Sequence, residues 1–251
     1  MRKRKFGQKT LLAVVGLMLG CAAFVQPASA QNIAAKSGEK IAFLGDSITS
    51  NGWSQPMGYV HLVISGLKAN GVDATPIPAG ISGNMSNQML ARLDSDVISK
   101  KPDWMTLSCG VNDVWHGARG VPLDDYKKNI TQIVEKAQAA NIKVMILTST
   151  PIGEDYSNDL NAKLAPYNDF LHELAKEKNL PIADLNADMK TARAATGETD
   201  SKKNVLTMDG VHPNAAGNIV MATGILRAFG LDDAQLKKAH DAWLDMPKTS
   251  P

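Results

Sequence analysis

Cysteine is nearly absent from this chain, with two in 251 residues, Cys21 and Cys109. The first lies in an N-terminal stretch that the sequence marks for removal, so the mature protein keeps Cys109 alone and has no intrachain disulfide. Long apolar runs are also missing. Leu11–Leu19 is too short for a spanning helix and gives way quickly to small and polar residues. There is no internal repeat and no low-complexity tract. Histidine is scarce: His61, His116, His172 and His240 show no ligand spacing, which argues against a metal site. No cofactor motif is present either. Gly45–Asn51 lacks the G-x-G-x-x-G pattern and has no lysine to hold a phosphate.

An excess of charge is the last absence. Arg2, Lys3, Arg4, Lys5 and Lys9 form a basic start, Leu11–Leu19 an apolar centre, and Ala28-Ser29-Ala30 a small-residue cleavage pattern. Residues 1–30 therefore read as a signal peptide, with the mature chain beginning at Gln31. Cys21, after Leu19-Gly20, suggests lipoprotein processing, but Met18 and Leu19 are poor lipobox residues and Ala-Ser-Ala is the better site. Taking five basic residues from 27 leaves 22 against 25 acidic ones, so the net of +2 becomes −3. The apparent basicity belongs to the leader, which removes the case for nucleic acid or an anionic membrane as partner. The reading is an exported protein, periplasmic or secreted, without stable membrane insertion. Its single domain of about 220 residues must stand on its core.

What is present is an alternation of short apolar runs and amphipathic segments. Ile41–Leu44, ended by Gly45, reads as a buried strand. Asn51–Pro56 reads as a loop, and Tyr59, Val60, Val63, Ile64 and Leu67 as a helix face. Val72–Ile77 reads as a second strand, made an edge by Pro76 and Pro78. A helix follows from about Ser86 to Lys100, then a strand at Trp104–Leu107. Tyr126, Ile130, Ile133, Val134 and Ala137 line another helix. Ile142–Leu147 is a fourth strand. A helix from about Leu160 to Lys178 is expected to kink or restart at Pro166. Pro181–Asp184 is a fifth strand, and the last strong helix is expected to start at Pro213. The tail from about 231 is amphipathic around Leu236, Trp243 and Leu244. Five strands alternating with helices predict one α/β domain, residues 31–251, with a parallel sheet.

Polar loops follow three of these strands: Gly45-Asp46-Ser47, Gly80–Asn84 and Gly110–Asp113. A fourth, Met208–Pro213, precedes the last helix. In a parallel sheet such loops meet at one edge. Acyl transfer needs a nucleophile, a base, a group to orient the base, and donors for the oxyanion. Ser47 is the candidate nucleophile, His212 the base, and Asp209, three residues earlier, the orienting group. The Ser47 N–H, the Gly83 N–H and the Asn112 amide are the candidate oxyanion donors. Each residue has a structural alternative: Ser47 or Asp209 as a helix cap, His212 as a loop histidine, Asn112 and Gly83 as turn residues. Their joint occurrence in the correct loops favours the catalytic reading. Ser82 is a decoy, since Gly80–Asn84 lacks the final glycine of G-x-S-x-G.

GDSIT at 45–49, the Gly83 loop, GVND at 110–113 and DGVHP at 209–213 resemble the four blocks of the SGNH (GDSL) hydrolase family, in the family's order. The likeness spans nearly all of Lys40–Gly230. Ile81–Asn84, Lys101–Trp104 and Gly110–Trp115 look most like its bacterial acetylxylan esterase branch. The resemblance implies a three-layer α/β/α, flavodoxin-like fold with a five-stranded parallel sheet. It also implies a serine esterase. The segments expected around the site, Ser50–Gly52, Asn84–Asn87 and Gly153–Asp155, are polar and small, which suits short acyl groups better than long ones. Acetyl esters of carbohydrate are the expected substrates, with Trp53 and Trp115 as candidate contacts for a sugar ring. One alternative is a lysophospholipase or thioesterase served by the same blocks. Another is a non-catalytic sugar- or nucleotide-binding module that holds a phosphate on a helix N-terminus.

Overall fold

The computed structural model describes residues 33–247; the expected signal peptide lies outside the described residues. The first half contains β1 (Lys40–Gly45), α1 (Ser47–Ser54), α2 (Tyr59–Ala69), β2 (Thr75–Gly80), α3 (Ser86–Asp96), β3 (Trp104–Ser108) and α4 (Val111–Trp115). The second contains α5 (Leu123–Ala139), β4 (Lys143–Leu147), α6 (Asp159–Glu177), β5 (Ile182–Ala183), α7 (Leu185–Ala195), α8 (Ala215–Ala228) and α9 (Asp233–Leu244).

All pairings in the sheet are parallel, and the strand order is β2-β1-β3-β4-β5. This is the flavodoxin-like order, whose switch point lies between β1 and β3. Every residue of β3, and every residue of β1 except Lys40, is buried, as expected of central strands covered on both faces. Helices α2, α8 and α9 pack together in one layer, while α3, α5 and α6 pack in succession in the other.

Edge strand β2 runs three residues later than the apolar pattern suggested. Thr75 donates its N–H to Glu39 O, so alternate residues face β1 and the outer side falls to Pro76 and Pro78. Both missing N–H groups thus point away from the ladder, where none is needed. Asn51–Ser54 is helical rather than a loop. The ring of Tyr59 lies where a side chain at Gly52 would project, so the glycine is kept for packing rather than for a turn. Pro166 sits inside α6 and does not restart it. Helix α8 begins at Ala215, not Pro213, because the Asn214 side chain caps it by accepting from the N–H groups of Ala216 and Gly217. The C-terminal amphipathic segment is α9, whose Leu236, Ala239 and Trp243 are buried. The indole N–H of Trp243 donates to Leu62 O at 2.9 Å, fastening α9 to α2.

Candidate active site

Ser47 is the first residue of α1, at the end of β1 and beside the switch point. It is not the cap. Asp46 takes that role, its Oδ1 accepting the Ile48 N–H at 2.9 Å. The Ser47 hydroxyl is therefore free for another partner. Helix α8 and its preceding loop bring that partner from the far end of the chain: His212 Nε2 lies 2.9 Å from Ser47 Oγ. The other ring nitrogen, Nδ1, lies 2.6 Å from Asp209 Oδ2.

Local chemistry explains the Asp-x-x-His spacing. Asp209 Oδ1 accepts the backbone N–H groups of Val211 at 3.0 Å and His212 at 2.8 Å, closing a tight turn that folds the imidazole back over the carboxylate. Met208 N–H donates to His212 O at 2.8 Å and closes the same turn from outside. Partial burial tends to raise the Asp209 pKa, but the bonds from the His212 ring and from the two N–H groups hold it below the usual carboxylate range. An ionised Asp209 fixes Nδ1 as the protonated ring nitrogen and leaves Nε2 to accept the Ser47 proton.

The candidate oxyanion donors surround the same serine. As the first helical residue, Ser47 has a backbone N–H with no acceptor among the described residues. Gly83 stands in the loop after β2, its N–H equally without an acceptor there. Its φ of +79° requires glycine, whereas a Cβ built on it would meet nothing within 4 Å. Conformation, rather than crowding by the protein, therefore selects the residue. Asn112 sits in the first turn of α4, a helix where the sequence suggested a loop. It is buried, and its Nδ2 reaches Asn84 O at 3.1 Å and Asp46 Oδ2 at 3.3 Å. Both amide hydrogens thus have acceptors, so donation to an oxyanion requires one of them to be shared or released. Arg92 supports this edge: it donates to Gly45 O at 2.8 Å, Ala79 O at 2.9 Å and Asn84 Oδ1 at 2.7 Å.

Beneath Asn112 lies an acidic network that the sequence did not suggest. Burial pushes the Asp46 carboxyl up to about 6, against the lowering effect of the Ile48 N–H. Asp113 is also raised by burial, although it accepts from the Ser86 hydroxyl at 2.6 Å and the Ser86 N–H at 3.0 Å. Cys109 is buried and directs its thiol at Asp113 Oδ2, and burial raises its pKa well above the usual range.

The two tryptophans are placed differently. Trp115 follows Asn112 by one turn on α4 and is 44% exposed. Trp53 lies near the far end of α1, about 9 Å along the axis from Ser47 at 1.5 Å per residue. It stacks on His61 with ring centroids 4.7 Å apart. Ile81 and Met208, neighbours of the Gly83 and Asp209 loops, are exposed as well. Ser82 is exposed in the Gly83 loop, and among the described residues no histidine is hydrogen-bonded to it; the histidine that meets a serine meets Ser47.

Residues 43–219 match the GDSL-like lipase/acylhydrolase family. An acetylxylan esterase of Geobacillus stearothermophilus is 29% identical over 219 residues, covering 78% of this chain and 96% of that one. The crystal structure of the acetyl xylan esterase AlAXEase superposes with a TM-score of 0.71 at 35% identity, covering 75% of this chain and 98% of that one. The thioesterase 1/protease 1/lysophospholipase L1 of Escherichia coli is 27% identical over 55% of this chain and 59% of its own. On this match the chain belongs to the GDSL-like lipase/acylhydrolase family, most similar to its acetylxylan esterase branch, and is a serine esterase, a carboxylic ester hydrolase.

Proposed function

We propose that the enzyme removes acetyl groups from carbohydrate, with Ser47 as nucleophile, His212 as general base and acid, and Asp209 holding the imidazole. The observation that carries this reading is the unbroken line Ser47 Oγ–His212 Nε2 and His212 Nδ1–Asp209 Oδ2, at 2.9 and 2.6 Å. Ser47 Oγ attacks the ester carbonyl as its proton passes to Nε2. The carbonyl oxygen, now an anion, takes hydrogen bonds from the N–H groups of Ser47 and Gly83 and from the Asn112 amide. His212 returns the proton to the leaving sugar oxygen. Water, activated by the same imidazole, then releases acetate and restores Ser47.

The likeness to two acetylxylan esterases over nearly their whole length supports an acetyl ester of a glycan as substrate. The exposed face of Trp115, one turn from Asn112, is a surface on which a sugar ring can stack. The leader pattern of residues 1–30 supports export, which places the enzyme with polymeric glycans in the periplasm or outside the cell. The partial likeness to a thioesterase and lysophospholipase supports the competing reading, a long-chain acyl substrate. The deciding experiment is kcat/KM on p-nitrophenyl esters of rising chain length, beside acetate release from acetylated xylan. Preference for acetate with acetate released from the polymer upholds the proposal. A rise toward long chains, with no acetate from any sugar, replaces it with the thioesterase reading.

A further inference from the structure

We infer that Glu154 is a positioning residue for the Asp209–His212 pair, acting through Thr207 from a loop on the other side of the base turn. The inference rests on the proposed roles of Asp209 and His212. Glu154 lies in the loop between β4 and α6, and its side chain is 2% exposed. Although buried, its carboxylate is well supplied with donors. Oε1 accepts the Leu206 N–H at 2.9 Å, the Thr207 N–H at 2.8 Å and the Thr207 hydroxyl at 2.6 Å, and Oε2 accepts the Val205 N–H at 2.9 Å. The guanidinium of Arg193, also buried, stands 3.3 Å from Oε2. Burial alone would raise the Glu154 pKa, but these donors hold it below the usual range, so the group is an anion.

Three successive N–H groups converging on one carboxylate fix the segment that leads into the base turn. The opposite side of that segment is held too. Asn214 donates its side-chain amide to Val205 O at 3.1 Å and Thr207 O at 3.4 Å, and its own N–H to Leu206 O at 3.0 Å. Residues 205–207 are thus gripped on both edges, by Glu154 on the donors and by Asn214 on the acceptors. The grip is then relayed into the turn itself. The Thr207 hydroxyl, donating to Glu154, accepts the Gly210 N–H at 3.1 Å, and Gly153, beside Glu154, donates its N–H to Gly210 O at 2.7 Å. Gly210 separates Asp209 from Val211 and His212. The peptide groups around it set the angle at which Asp209 meets Nδ1.

A glutamine at 154 would turn an NH₂ group toward either the 206–207 or the 205 donors, so charge and acceptor geometry are both needed. Catalysis is sensitive to such placement, because an error of about 1 Å can cost about 10²-fold in rate. Neither Glu154 nor Thr207 is hydrogen-bonded to Ser47, so their effect should fall on kcat with KM little changed.

The test is steady-state kinetics on p-nitrophenyl acetate from about pH 5 to 8, the range in which histidine titrates. It compares wild type with Glu154→Gln and Thr207→Val, and uses Asp209→Asn and His212→Ala as references. Thermal unfolding is recorded for each, and rates are taken well below every transition. Thr207→Val keeps the buried anion and the side-chain shape, which guards against a Glu154 variant that fails to fold. The expected result is a kcat lower by about 10²-fold for Glu154→Gln and about tenfold or more for Thr207→Val. The acid limb of kcat/KM should move to lower pH in both, as in Asp209→Asn, because a misplaced carboxylate stabilises the imidazolium less. Wild-type kcat and an unmoved limb in both variants, with His212→Ala inactive, would overturn the inference and leave the triad standing. Wild-type activity in His212→Ala would instead remove the triad and this inference with it.

Discussion

The amide of Asn112, on α4, and the carboxylate of Asp46, which directly precedes Ser47, meet at 3.3 Å. Strands β1 and β3 neighbour one another in the sheet, and the two residues lie in the segments that follow them, so the sheet brings the third candidate oxyanion donor to Asp46. Asn84 O, at 3.1 Å, is its other acceptor, so both amide hydrogens are held. Because both hydrogens already have acceptors, donation to the oxyanion shares or releases one of them, which the charge appearing on the substrate oxygen favours.

Asn112→Ala should therefore lower kcat by about 10²- to 10³-fold and leave KM nearly unchanged. Steady-state kinetics on p-nitrophenyl acetate separate the two parameters. A variant in which KM alone rises would make Asn112 a contact of the bound ester rather than of the oxyanion.

Asp46 gives the fold a dependence on pH whose direction is set by its raised pKa. Its ordinary value is 3.8, and burial brings it to about 6. The folded chain thus keeps a proton that the unfolded chain releases, so this group makes stability fall as pH rises from about 4 to about 6. The loss amounts to ~3 kcal/mol over the window, at 1.36 kcal/mol per unit. Asp46→Asn removes this slope. Denaturant unfolding at several pH values should show the difference between the variant and wild type moving in favour of asparagine across that interval. Parallel stability curves would mean that Asp46 is not a buried acid of raised pKa.

For Asp209→Asn the expected outcome is a fall of several orders of magnitude in kcat, on the order of 10⁴-fold, without unfolding. In wild type, kcat/KM should decline on the acid side of neutrality, since the protonated imidazole cannot accept the Ser47 proton. A flat profile across that range would count against a histidine base.

Trp243→Ala tests whether α9 is part of the fold. The indole is 3% exposed and donates to Leu62 O, so its removal should cost ~3–5 kcal/mol, with kcat retained in the folded fraction. A shift in thermal midpoint close to zero would show α9 to be dispensable.

What could be read in the sequence was what repeats or is local. The apolar runs gave all five strands because central parallel strands are buried on both faces, and Tyr126, Ile130, Ile133, Val134 and Ala137 fell on the buried side of α5. The four polar loops were legible as one group because parallel pairing puts the loops after the strands on one edge, whatever the strand order. Boundaries failed where a tertiary contact overrode the local signal. Gly52 and its polar neighbours look like a loop, yet they are helical because Tyr59 packs against the glycine. Pro213 looked like a helix start, but Asn214 supplies the cap. Asp46 and Glu154 resembled ordinary loop acids. Nothing in their own neighbourhoods shows that Asn112, 66 residues away, and Val205–Thr207, up to 53 residues away, would close over them. The one sequence signal for Glu154 was its place among polar residues after a strand end, which suggested a substrate loop rather than a brace.

The identity of the nucleophile is tested most directly by covalent labelling. An organophosphate ester with a p-nitrophenol leaving group should inactivate the enzyme with release of one nitrophenol per active site, since the serine is consumed and not regenerated. Peptide mass spectrometry should place the phosphoryl adduct on Ser47, with none on Ser82. Ser47→Ala should neither react nor hydrolyse p-nitrophenyl acetate, while Ser82→Ala should do both. An adduct on another residue, or esterase activity persisting in Ser47→Ala, would contradict the assignment.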